Sequence, residues 1–139
     1  VRDPGNLGTI IRLCDWFGVR NLICSLETVD CYNPKVVQAT MGSLARVNIT
    51  YANLEEIVIN TEIDTYGAFM DGKNVYKNDL TENGILVLGN EANGISSNIE
   101  AHLPNRISIP RFGELQETES LNVANATAIL LSEFKRRFY

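Results

Sequence analysis

Apolar residues recur along this chain with two alternating periods, helical and strand-like. Leu7, Ile10, Ile11, Cys14 and Phe17 fall at helical spacing and Gly18 ends the run, which predicts a helix over residues 6–17. A short apolar strand follows at 21–25. Asn33 before Pro34 is a cap with proline at the first helical position and starts a helix reaching about Met41. Residues 46–51 read as a strand. Asn53 caps a helix to about Asn60, with Glu55 and Glu56 in its favoured first turn. A strand is predicted over 65–70, closed by a turn at Asp71-Gly72. The unbroken apolar run Ile85, Leu86, Val87 and Leu88 predicts a strand buried on both faces. A short helix at 98–102, a strand at 106–109 and a long helix over 119–137 complete the pattern. Strands alternating with helices predict a single α/β domain with a mostly parallel sheet flanked by helices.

The length of 139 residues suits one domain, residues 1–139. No apolar run approaches the roughly 18 residues of a membrane span, so no membrane association is expected. Cys14, Cys24 and Cys31 lack CxxC spacing and His102 is the sole histidine, so no metal site is predicted. Cys14 and Cys24 sit in apolar segments and read as small core residues of a reducing compartment, which points to the cytoplasm. The net charge of -5 counts against a nucleic-acid partner, although its distribution matters more than its sum. Arg2, Arg12 and Arg20 cluster early, and Arg106 and Arg111 flank a loop. Lys135, Arg136 and Arg137 read as cations at a helix C-terminus, where the macrodipole favours them.

Three junctions between apolar elements and turns collect polar residues. In the first, Asp3-Pro4-Gly5-Asn6-Leu7-Gly8, glycines let backbone N–H groups approach a ligand at the positive end of the helix that follows. The plain alternative is a Pro-Gly turn with an asparagine cap. Arg12, further along that helix, either snorkels to solvent or reaches a phosphate or carboxylate as a planar fork. In the second junction, Gly89-Asn90-Glu91-Ala92-Asn93-Gly94, Glu91 lies beyond the carboxyl end of a buried strand, where α/β sheets bind ligands. There it orients a polar ligand, binds a cation, or is a solvated turn carboxylate. In the third, Ser120 and Asn122 bracket Leu121 at the start of the last helix; the plain alternative is a helix cap at Thr118 or Ser120. Absence of GxGxxG argues against an NAD-dependent oxidoreductase, and absence of G-x-S-x-G against a serine hydrolase.

Taken in order, DPGNLGTIIR, VLGNEANGI and ISIP followed by SLNVANATAILL resemble the three signature motifs of the SpoU (TrmH-like) family of RNA ribose methyltransferases, within the SPOUT superfamily. The resemblance spans essentially the whole chain. It implies an α/β domain whose C-terminal segment forms a deep trefoil knot. It also implies a homodimer that binds S-adenosylmethionine in the knot and methylates a ribose 2′-hydroxyl of tRNA or rRNA. By the same resemblance Asn6, Arg12, Glu91, Ser120 and Asn122 are the catalytic set. Leu88, Gly89, Ile109 and Leu121 contact the cofactor. The first and last helices are expected at or near the dimer interface. The alternative is a knotted RNA-binding or interaction module without catalysis. Two departures from the family pattern stand out. The acidic loop from Arg111 to Glu119 is longer than usual, which bears on RNA access. Val1 leaves almost nothing of the strand that normally precedes the first motif, so an N-terminal truncation is expected, with an RNA-binding domain possible upstream.

Overall fold

Most elements form where the apolar spacing places them, with the first and last helices capped one position or more from the expected residue. In this computed structural model residues 1–114 and 120–139 are described; Leu115 to Glu119, most of the acidic loop and the Thr118 cap expectation with it, lie outside them. Helix α1 spans Pro4–Trp16 and buries Leu7, Ile10, Ile11 and Cys14, the stripe expected from spacing. Strand β1 (Asn21–Cys24) follows. Helix α2 (Pro34–Thr40) opens with Asn33, whose side chain accepts the Lys35 N–H. A short 3₁₀ turn over Ser43–Arg46 leads into β2 (Asn48–Tyr51), and α3 (Leu54–Asn60) carries Asn53 as its cap. Then come β3 (Asp64–Asn74), β4 (Gly84–Val87), α4 (Ser97–Glu100), β5 (Asn105–Ser108) and α5 (Val123–Arg136).

All described strand pairings between these elements are parallel, and they make two sheets. β1 lies beside β2, and β3 lies between β4 and β5. β4 is thus an edge strand whose Ile85 and Leu86 are only half-buried, not a strand enclosed on both faces. Val87 packs with Val58 and Leu103, Ile85 joins them in part, and Leu86 packs in part against Tyr66, Ile107 and Leu130. The expected turn at Asp71-Gly72 is instead a bulge inside β3. Pairing with β5 breaks after Ala68 and resumes at Lys73. Gly72 passes so close to β5 that a Cβ there would lie 2.5 Å from the Ile107 carbonyl carbon, which only glycine allows.

Three apolar clusters hold the layers together. Leu7, Ile10, Ile11, Cys14, Cys24, Cys31, Val36 and Val47 pack α1 and α2 on the first sheet, and Ala124 of α5 joins them. Tyr66, Val75, Leu80, Ile107 and Leu130 form the second, where Tyr66 meets Phe134 edge to face. Val58, Val87 and Leu103 form the third. All three cysteines are free and buried. Burial, and then the neighbouring thiol of Cys24 for Cys14 and of Cys31 for Cys24, pushes both up to about 11, which keeps them protonated.

The C-terminus of α5 is anchored by a buried carboxylate. Glu133 is 6% exposed and accepts from Arg136 and, at 2.8 Å, from Arg137. Arg137 also donates to the Val75 carbonyl at 2.6 Å and to that of Asn78. The terminal cations do sit at the helix end, but Arg136 and Arg137 are ion-paired there as well. Hydrogen bonds from Arg136 and Arg137 hold the Glu133 carboxyl down to about 2, against an ordinary 4.5. Its stabilising contribution is therefore complete above about pH 4.5 and is lost as pH falls through about 2. Glu133→Ala is expected to lower stability by about 1–2 kcal/mol, because the shared carboxylate is lost while Arg137 keeps the Val75 and Asn78 carbonyls and Arg136 is largely exposed. Urea unfolding at pH 7 measures this, and an unchanged midpoint would refute the anchor.

Candidate functional site

A single open cleft of about 1710 Å³ receives all three polar junctions. Its floor is apolar, built from Leu88, Ile107, Ile109 and Leu130. Its rim carries Asn6, Glu91, Asn93, Ser120 and Asn122. The cleft lies beyond the carboxyl ends of β4 and β5 and beside Ala68, Phe69 and Met70 in the middle of β3, where parallel strands leave room for a ligand. Leu88, Gly89, Ile109 and Leu121 all line it.

Two long-range contacts tie the junctions together. The Glu91 carboxylate accepts the Arg2 N–H at 3.1 Å and the Asp3 N–H at 3.4 Å. Burial alone would raise its pKa, but donation from Arg2, its own N–H and Asp3 outweighs that and leaves it below the ordinary carboxylate value. Asn122 Nδ2 donates to Asn6 Oδ1 at 3.0 Å across a separation of 116 residues. Asn122 Oδ1 meanwhile accepts from Ala124 and Asn125, so Asn122 is the cap of α5, and the helix begins at Val123 rather than near Glu119. Ser120, expected as a possible cap, makes no cap bond and stands exposed on the rim.

The second junction closes as a five-residue loop. Asn90 and Gly94 exchange backbone hydrogen bonds at 3.3 and 3.2 Å, and Asn90 Oδ1 accepts from Ala92 and Asn93. Gly94 adopts φ +68°, and a Cβ on Gly89 would lie 2.3 Å from the Gly94 carbonyl carbon. Gly89 is therefore required by the close approach of Gly94, whereas Gly94 is favoured by its left-handed φ and has open space for a side chain.

The first junction differs from its expectation. Asp3, not Asn6, caps α1: Asp3 Oδ1 accepts the Asn6 N–H at 2.9 Å and Pro4 takes the first helical position. The positive end of α1 is thus capped by the chain's own carboxylate instead of awaiting a ligand. The Asp-Pro pair was the available signal. Arg12 is not brought into the cleft. It is exposed, makes no hydrogen bond or ion pair among the described residues, and does not line the cavity. From Asn6 it is about 9 Å along the helix and roughly 240° around it, which turns it away. Arg106, in contrast, is fully engaged. It pairs with Glu100 at 2.5 Å and Asp71 at 2.6 Å and lies 3.8 Å over the Phe69 ring. Arg2 and Phe112 line the cleft although the motifs did not single them out for it. His102 is exposed and lies outside the cleft lining. Among the described residues no group of three or more His, Cys, Asp or Glu could hold a metal ion, and no helix is long and apolar enough to cross a membrane.

Residues 1–132 match the profile of the SpoU rRNA Methylase family. The chain belongs to that family. Among its SpoU relatives is the 23S rRNA (guanosine(2553)-2′-O)-methyltransferase RlmP of Bacillus subtilis (strain 168), 32% identical over 135 residues, covering 94% of this chain and 53% of the relative. A solved structure assigned to the TrmH family of RNA methyltransferases from Porphyromonas gingivalis superposes with TM-score 0.91 at 47% identity. It covers 99% of this chain and 57% of its own. An AdoMet-bound rRNA methyltransferase from Sinorhizobium meliloti superposes with TM-score 0.90 at 33% identity, over 100% of this chain and 54% of its own. The chain thus spans about half the length of the curated relatives it matches.

Proposed function

We propose that this SpoU-family chain carries out S-adenosylmethionine-dependent methylation of a ribose 2′-hydroxyl in tRNA or rRNA, and that it works as a homodimer in the cytoplasm. The observation that carries the reading is the convergence of three sequence-distant junctions on one cleft, tied by the Glu91 and Asn122 contacts. The three unpaired, buried cysteines suit a reducing compartment. We also propose the family's trefoil knot for the C-terminal segment that carries α5. Its support is that Leu130 packs with Ile107 and Tyr66 while Asn122 meets Asn6, so the C-terminal segment is in contact with both halves of the chain.

The cleft fits the cofactor by its chemistry. An apolar floor suits a nucleobase, and a rim of asparagine and serine side chains suits a ribose and an amino-acid end. Backbone at Leu88, Gly89, Ile109 and Leu121 would hold it. When bound, S-adenosylmethionine supplies a methyl group already activated on sulfonium. The protein must then place the 2′-hydroxyl in line and ease its proton away, which is mostly a matter of positioning. Glu91 and Asn122 fix the loops that do this. Arg12 binds the RNA phosphate and polarises the hydroxyl; its guanidinium remains charged throughout. Because Arg12 faces away from its own cleft, it acts in the cleft of a second copy. Trp16, one turn further along α1 and 83% exposed, would be covered by the same association.

Transfer of labelled methyl from S-adenosylmethionine to unmodified 23S rRNA and tRNA transcripts tests the reading. Label in alkali-stable dinucleotides is expected, because a 2′-O-methyl group blocks cleavage at that position. Label confined to base nucleosides would move the target to the base, and no incorporation would favour the non-catalytic module. Glu91→Ala is expected to weaken S-adenosylhomocysteine binding by about tenfold, since the first and second junctions lose a charged hydrogen-bond acceptor. Calorimetric titration decides it, and an unchanged Kd would remove Glu91 from the site.

A further inference from the structure

Two aromatic side chains line the cleft among the described residues, Phe69 and Phe112, and only the second has its ring open. The Phe69 ring face is taken by the Arg106 guanidinium at 3.8 Å, and a Cβ on Gly67 would lie 2.5 Å from its edge. Phe112 is 86% exposed and lines the cavity two residues beyond Pro110, close in the chain to the cofactor-side residue Ile109. A single exposed apolar residue is ordinary on a protein surface, so exposure alone carries nothing. Its place gives it meaning. The cleft, at about 1710 Å³, exceeds the roughly 300–1,000 Å³ that a small ligand needs, which leaves room for part of a second molecule.

Resting on the RNA reading above, the chemistry at that second position follows. A ribose entering the cleft brings its base to the mouth, and a base drawn out of its stack loses stacking that an aromatic ring can replace. We infer that Phe112 is the platform on which a nucleobase of the RNA stacks as the target ribose enters the cleft. Because every base has a π-face, the ring selects for unstacked, single-stranded nucleotides and not for base identity. Phe112 is in this sense a specificity-determining residue, independent of the groups that hold the cofactor.

The test uses the full protein with unmodified 23S rRNA and tRNA transcripts, and measures the RNA KM, kcat and the S-adenosylhomocysteine Kd. Phe112→Ala and Phe112→Leu are expected to raise the RNA KM by about 5- to 150-fold, whereas Phe112→Tyr stays within about twofold of wild type. The S-adenosylhomocysteine Kd stays unchanged in all three. A leucine variant as good as tyrosine would reduce the residue to a generic apolar contact and overturn stacking. An alanine variant with wild-type KM would overturn any role, and a matching change in Kd would move Phe112 into the cofactor pocket. Failure of the wild type itself to methylate either RNA would refute the RNA reading, and this inference with it.

Discussion

Arg12→Ala is expected to lower methyl transfer by about 10²- to 10³-fold, the usual cost of removing one donor that stabilises developing charge. S-adenosylhomocysteine binding should not change, because Arg12 lies outside the cleft lining and points to solvent. The placement also makes a sharper prediction. If the arginine acts in the cleft of a second copy, two inactive variants should rescue one another. Arg12→Ala co-expressed with a variant that cannot bind the cofactor would form mixed dimers holding one intact site, from the intact cleft of one copy and the intact arginine of the other. Random mixing then restores roughly a quarter of wild-type activity, since half the dimers are mixed and each has one competent site. No recovery, in a sample shown by sedimentation to contain mixed dimers, would place the arginine in its own subunit's site or remove it from the reaction.

Gly89→Ala supplies the second variant, used at a cofactor concentration that leaves its weakened cleft empty. The added Cβ would meet the carbonyl carbon of Gly94 at 2.3 Å and its Cα at 2.5 Å, both backbone atoms with nowhere to move. The loop must open, breaking the paired Asn90–Gly94 hydrogen bonds and displacing Glu91 from the Arg2 and Asp3 N–H groups. Overpacking of about 3 kcal/mol corresponds to a loss of S-adenosylhomocysteine affinity of about 100-fold. Gly94→Asn is the control. Nothing lies within 4 Å of a Cβ there, and asparagine tolerates the left-handed φ of +68°, so binding should weaken only a few-fold. Equal losses from the two variants in calorimetric titration would show that the loop is sensitive to any side chain and that the close approach at Gly89 is not the cause.

Short-range rules were legible wherever both partners lie within a turn. Asn33-Pro34 and Asn53 start their helices as expected, because each cap bonds an N–H two or three residues away. The same rule, applied to the wrong residue, explains two misplacements. Asp3 outcompetes Asn6 at the first helix because Pro4 already fits the first helical position. Asn122 takes the cap of α5 because its side chain reaches both Ala124 and Asn125. The bulge in β3 was read as a turn since Asp71-Gly72 has turn composition. What keeps the strand going is the approach of β5, contributed by residues some 35 positions later.

The amino-acid sequence by itself determined the alternation of strands and helices, the buried stripe of α1 and the three motifs that mark the SpoU family. Each depends on residue type and local spacing, which backbone sterics and apolar burial convert directly into structure. Only the tertiary structure decided that Glu91 meets Arg2 and Asp3 across 89 and 88 residues, that Asn122 meets Asn6 across 116, and that Arg12 is left outside the cleft. Those outcomes depend on how α1 and α5 pack against one another and on the sheets. Closing such long loops costs entropy that only the combined burial of many distant residues can offset, so no local pattern records it.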